Sequence, residues 1–311
     1  MLTYLVVLLD DTSVSFCHYD VNRTERKLIG IDSLKQAVLF AMKENLNVQF
    51  VYPDYVLPQE YRDIINSIDH TKLGPVYCGE DLDMIIFKDL DFEPDKEKAY
   101  LWRCSLHSLN EKAEVIAGLL PNMLRLNVVL TDIPQWEKDS FELYKSTLEY
   151  LAKKIAEYYK QGLTVQLNLL TDRIMLSKMN NCNAGDTSIT LAPNGKFYIC
   201  PAYYPEHSVG NLKEGLLIPN KQLYRLDHAP ICRKCDAFQC RRCIWLNEML
   251  TLDCNTPSHE QCVAAHIERN ASRSLLGLLD YNGVHIENSQ VIEEINYLDP
   301  FNIFNKWNQE K

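Results

Sequence analysis

The chain has 311 residues, of which 46% are apolar and 24% charged, a globular composition long enough to bury a core without covalent staples. Its formal net charge of −10 argues against long-range attraction to phosphate backbones, so nucleic acid is not an expected partner.

The first run, "LTYLVVLLD", reads as a buried strand. No basic residue precedes it and it stops at Asp10 and Asp11. It is too short to span a membrane and has the wrong flank for a signal peptide, so a cytoplasmic protein with reduced thiols is expected. "SLKQAVLFAMKEN" has helical spacing, "LNVQFVYPD" is extended, "QEYRDIINSID" is helical and "MIIFKD" extended. "AYLWRCSLH" reads as a strand, "NEKAEVIAGLLPN" as a helix and "LRLNVVLTD" as a strand. "EKDSFELYKSTLEYLAKKIAEYYKQG" is a long helix with Gly162 as its stop, and "LTVQLNLLTD" reads as one more strand. This alternation predicts an α/β domain of parallel βα units over residues 1–175. About six units fit a partial (β/α) barrel better than an eight-fold one, with an open doubly wound sheet as the competing arrangement.

Near residue 176 the character changes. "TSITLAPNGKFYIC" predicts a hairpin turning at Asn194-Gly195 with positive φ at both. Folding there sets Cys200 beside Ile189, within reach of Cys182. "PSHEQCVAAHIERNASRSLLGLLD" predicts a helix with Ser258 and Gln261 in a capping box and Val263, Ile267, Ala271 and Leu275 as its buried stripe. Residues 280–311 read as a C-terminal extension.

Cysteine is distributed unevenly. Cys17, Cys78 and Cys104 are isolated and read as apolar packing. Eight more lie between 182 and 262: Cys182, Cys200, then Cys232-x2-Cys235-x4-Cys240-x2-Cys243, then Cys254 and Cys262. Eight thiols are enough for two tetrahedral sites, and Cys262 falls in the first turn of its helix, where free N–H groups favour thiolate. Arg233, Lys234, Arg241 and Arg242 read first as counter-charge to such a site. Iron–sulfur clusters, structural zinc and disulfides all use this residue type, and a reducing compartment disfavours the last. Two C-x2-C knuckles this close are unlike a simple zinc ribbon. His266, one helical turn after Cys262, reads first as a solvated residue, with a zinc ligand or a neighbour of a cluster as the other readings.

The pattern C-x12-G-x4-C, then C-x2-C-x4-C-x2-C, then Cys262, resembles the SPASM domain of radical SAM peptide-modifying enzymes, with each of the last two gaps of the run one residue shorter. "CDAFQCRRCIWLN" and "NTPSHEQCVAAHIERNASR" resemble more closely the CXXX repeat peptide maturases. The resemblance implies a degenerate radical SAM-like barrel followed, over residues 176–279, by a SPASM-like domain holding one or two [4Fe-4S] clusters. It assigns Cys182, Cys200 and Cys243 to a first cluster and Cys232, Cys235, Cys240 and Cys262 to a second, with Cys254 as a possible additional ligand. It implies a cysteine-rich precursor peptide as partner and a role in its maturation, either as the maturase or as a protein presenting the precursor to a radical SAM enzyme. The chain has no C-x3-C-x2-C run, so no SAM site is expected. The alternative is a zinc-stabilised protein- or nucleic-acid-interaction module without catalysis, with the basic residues at 233–242 in its favour and the net charge against it. No P-loop, G-x-S-x-G, G-x-G-x-x-G or H-E-x-x-H pattern is present.

Overall fold

The computed structural model describes residues 2–20, 23–90, 92–176, 182–225, 228, 229, 232, 235, 243–287 and 289–292. Strand β1 (Tyr4–Leu8) leads through a long loop to α1 (Ile31–Glu44) and β2 (Asn47–Val51). Then come α2 (Gln59–Ile65), β3 (His70–Pro75), β4 (Met84–Phe87), β5 (Ala99–Cys104), α3 (Leu106–Glu111), α4 (Ala113–Leu119), β6 (Arg125–Leu130) and α5 (Lys138–Lys160). Strands β1 to β6 are parallel and lie side by side in chain order. A doubly wound sheet reverses its strand order; this one does not, so the partial barrel is the arrangement adopted. Strand β3, "HTKLGP", had escaped the sequence reading. It lacks apolar alternation and carries Gly74 and Pro75, and its parallel neighbours on both sides hold it extended.

The expected strand at 163–172 does not form. Leu167 makes one parallel bridge to Leu126, and the chain then turns into α6 (Asp172–Met175). Side chains do the work of a ladder here. The Asn168 amide accepts from the Val128 N–H at 2.9 Å and donates to the Val128 carbonyl at 2.8 Å, and Arg125 Nη2 donates to both carboxylate oxygens of Asp172 at 2.7 Å. The backbone of Gln166 and Asn168 pairs with Leu126, and the Asn168 side chain then satisfies Val128, so the edge of β6 is closed without a full strand.

Beyond residue 182 follow β7 (Ser188–Leu191), β8 (Lys196–Tyr198), β9 (Ser208–Asn211), β10 (Gly215–Leu216), α7 (Ile244–Thr251) and α8 (His259–Tyr281). Strand β7 pairs in parallel with β1, so one sheet runs from the barrel into the hairpins. The turn before β8 differs from expectation. Gly195 has φ of 75°, Asn194 is not in the positive-φ region, and the Gly195 N–H donates to the Ala192 carbonyl. Pro193 presets a right-handed first position, so the turn takes three residues with glycine as the bulge. That extra residue puts Thr190 opposite Tyr198 rather than Ile199.

Strand periodicity separates two faces. Leu5, Val7, Phe50, Trp102 and Val128 point outward into a core shared with the helices, including α8, which packs along α5. Val6, Leu8, Val51, Leu73, Ile86 and Leu101 point inward, where Val14 and Phe16 of the β1–α1 loop and Ile244 of α7 cover them. On α8 the capping box is present, but the buried stripe is Ala264, Ala271, Leu275 and Leu279; Val263 is only half-buried. Among the described residues no helix is long and apolar enough to cross a membrane.

Candidate metal centre

The inner face of the sheet is where the thiols gather. Cys200 ends the β7–β8 hairpin and packs with Tyr198 and Tyr203 in the inner-face core. The backbone N–H groups of Ala202 and Tyr203 donate to its sulfur. Cys243 caps the N-terminus of α7, its sulfur accepting from the Leu246 N–H at 3.5 Å. Cys182 is exposed and lies within electrostatic range of both. The three cysteines assigned to the first cluster are therefore brought to one region by three separate elements.

Cys17 joins them. Its thiol hydrogen-bonds that of Cys243, and the His18 N–H donates to its sulfur. The reading of Cys17 as apolar packing is thus wrong, whereas Cys78 and Cys104 are buried among apolar side chains as expected. The proton between Cys17 and Cys243 is unequally shared. The hydrogen bond from Cys243, helped by His18 and Arg103 against the cost of burial, lowers Cys17 to about 5. The same hydrogen bond, with burial, raises Cys243. Burial first, then the neighbouring Cys182, raises Cys200. A further group faces these thiols. The Tyr19 hydroxyl is buried, has no hydrogen-bond partner among the described residues, and has its ionisation opposed by burial and then by Cys17 and Cys200.

At the second set, Cys232 is buried and its carbonyl accepts from the Cys235 N–H at 3.1 Å. Cys235 Sγ lies 3.6 Å from His266 Nε2. Cys262 lies four residues before His266 on α8, on the same face, and the reading of His266 as a solvated residue gives way to a contact with a thiol. Cys240 and the basic residues 233, 234, 241 and 242 fall outside the described residues. Cys254 is half-buried in the inner-face core beside Tyr224, and its carbonyl accepts from the Asn247 side chain at 2.9 Å.

Among the described residues no three His, Cys, Asp or Glu side chains close on a single metal position. A cluster makes a different demand, because its thiolates bind separate irons and need donors around them. The donor chemistry of the first set fits such a group: its sulfurs come from separate elements, backbone N–H groups point at those of Cys200 and Cys243, and Cys17 and the Tyr19 phenol border them. Spacing had marked Cys182, Cys200 and Cys243. The spacing from Cys262 had also made His266 a candidate neighbour, whereas nothing local marks Cys17 or Tyr19.

The parallel sheet and its topology match the radical SAM-like (β/α) fold of solved structures. The chain is similar to anSMEcpe, solved with bound AdoMet and Kp18Cys peptide, at 11% identity and a TM-score of 0.61, over 90% of this chain and 99% of that one. It is also similar to SuiB of Streptococcus suis, solved bound to its precursor peptide SuiA, at 13% identity and a TM-score of 0.50, over 84% of this chain and 76% of that one. A second SuiB structure, bound to S-adenosylmethionine, aligns with a TM-score of 0.51 at 14% identity. No family profile and no curated protein sequence matches the chain.

Proposed function

We propose that this chain is an iron–sulfur protein that takes part in maturing a ribosomally made, cysteine-rich peptide of the CXXX repeat kind. The observation that carries this reading is the gathering of Cys182, Cys200 and Cys243 over the inner face of a radical SAM-like sheet. Solved proteins of this fold include two with a peptide bound, which favours a precursor peptide as partner. Residues 1–175 act as the barrel, 176–279 as a SPASM-like cluster module and 280–311 as an extension. Cys182, Cys200 and Cys243 hold a first [4Fe-4S] cluster, and Cys232, Cys235, Cys240 and Cys262 a second. A bound cluster supplies one-electron transfer or, with an iron left open, a site for a peptide thiolate. The chain's own residues bind and orient: backbone N–H groups at Cys17, Cys200 and Cys243 hold thiolate charge. The protein works in the cytoplasm, without SAM of its own, as the maturase or as the protein that presents the precursor to a radical SAM enzyme.

The test is anaerobic purification followed by metal, sulfide and visible-absorption analysis. Brown protein with iron and sulfide, retention of a CXXX repeat peptide, and no reductive cleavage of S-adenosylmethionine are expected. Colourless protein holding zinc alone after reconstitution overturns the reading. Zinc has one specific observation in its favour, the 3.6 Å approach of His266 to Cys235, since mixed cysteine and histidine sets suit that ion.

A further inference from the structure

The first cluster has three assigned thiols, and a fourth ligand decides whether an iron is left open. Cys254 is the neighbour in sequence, whereas Cys17 lies far upstream in the loop between β1 and α1. The fold makes that distance irrelevant. Ser13 Oγ donates to the Val51 carbonyl at 2.8 Å, and Val14 and Phe16 pack on the inner face of the sheet. Arg103 of β5 then donates from Nε to the Cys17 carbonyl at 2.7 Å and from Nη2 to the Tyr19 carbonyl at 2.8 Å. His18 Nδ1 lies 3.0 Å from the Leu130 carbonyl at the end of β6, an acceptor, so that nitrogen carries the proton. Residues 17 to 19 are thus tied to the barrel from both sides, and the Cys17 thiol is delivered to Cys243 by a rigid scaffold.

We infer that Cys17 is the fourth protein ligand of the first cluster, beside Cys182, Cys200 and Cys243, so that this cluster has no iron open to a substrate thiolate. The inference rests on the iron–sulfur reading above. Three observations carry it. Phe16, the preceding residue, packs in the same inner-face core as Cys200 and Ile244, and Cys17 itself adjoins Cys243 and lies within electrostatic range of Cys200. Its sulfur receives a backbone N–H, that of His18, as Cys200 and Cys243 receive theirs. The buried Tyr19 hydroxyl, two residues on, lies within electrostatic range of Cys17 and Cys200 and so borders the same group of thiols. The rival, Cys254, stands beside Tyr224. On ligation each thiol gives up its proton, so four ligands leave as four iron-bound thiolates. A cluster closed in this way transfers electrons or holds the barrel loop to the cysteine-rich segment; it does not take the peptide's sulfur.

The experiment compares the full-length chain, Cys17→Ala and Cys254→Ala, each reconstituted anaerobically with iron and sulfide. Iron per chain in Cys17→Ala should fall by about half, one cluster of two, while Cys254→Ala keeps the unsubstituted content. Full iron in Cys17→Ala, or the loss in Cys254→Ala instead, overturns the inference and leaves the iron–sulfur reading standing. Unsubstituted protein that takes zinc and no iron overturns both. Should Cys17→Ala fail to fold, alkylation mapping of the unsubstituted protein decides. Cys17 should be protected when loaded and modified after chelation, together with Cys182, Cys200 and Cys243. Alkylation of Cys17 at equal rates in loaded and stripped protein overturns its role.

Discussion

Cys104 shows what burial does to a thiol that has no metal to serve. It sits in the outer core beside Trp102 and Leu130, and burial, with Asp132 nearby, pushes it up to about 12. A raised value keeps it protonated at every physiological pH, and the thiol is a poor nucleophile. Iodoacetamide at pH near 8 should leave Cys104 unmodified in the native protein and label it only after denaturation, as read by peptide mass spectrometry; labelling in the native state would contradict its burial. Arg173 is the opposite case, a charge taken into the core. It pairs with Glu268 at 3.1 Å, and Tyr144 donates to the same carboxylate at 2.8 Å. Removing the guanidinium strands a buried carboxylate, so Arg173→Met should cost about 3 kcal/mol in denaturant unfolding. A loss under 1 kcal/mol would mean that the carboxylate finds water or a proton at little cost.

At the scale of elements, the hairpins depend on two glycines for different reasons. A Cβ at Gly195, whose φ is 75°, meets only Ser33 Oγ at 3.7 Å, so alanine there pays only the left-handed backbone, about 1 kcal/mol. At Gly210, with φ of 129°, a Cβ would sit 2.0 Å from the Gly215 carbonyl oxygen of the paired strand β10. Gly210→Ala should therefore be the more destabilising of the two and should break the β9–β10 pairing, visible as lost amide protection at residues 208–217. Equal thermal shifts in the two variants would refute this ranking. Helix α8 is started by its capping box: Ser258 Oγ accepts from the Gln261 N–H at 3.4 Å, and Gln261 Oε1 accepts from the Ser258 N–H at 3.0 Å. Ser258→Ala should cost about 1 kcal/mol, a fall of roughly 2 °C in Tm at this size. Because Cys262 lies in the same first turn, that variant should also lose iron from the second cluster faster under chelation; an unchanged rate would separate the cap from the site.

Across the whole molecule, the proposed clusters join parts that the backbone alone keeps distant. The β1–α1 loop, the hairpin and the start of α7 all meet at Cys17, Cys200 and Cys243. Binding that exists only in the folded chain stabilises it. Chelation of anaerobic protein should lower Tm and open residues 176–258 to limited proteolysis, while β1 to β6 resist. Cleavage spread evenly along the chain would show instead that the metal supports the entire fold.

The pattern of residues was sufficient for much of this. Apolar alternation and helical spacing specify the βα order, because burial of one face acts on residues a few positions apart. Ser258 and Gln261 specify the start of α8, because a capping box is local. Where a side chain took over after a single backbone bridge, as Asn168 does on β6, periodicity read a strand that stops at one bridge. Where Pro193 added a residue to a turn, the register moved by one. Cys17 was beyond reach for a different reason. Cys17 meets Cys243 only because Arg103 and Leu130, on strands β5 and β6, hold its loop across the sheet. Such contacts join residues far apart in the chain through the positions of third parties, and only the tertiary structure sets those positions.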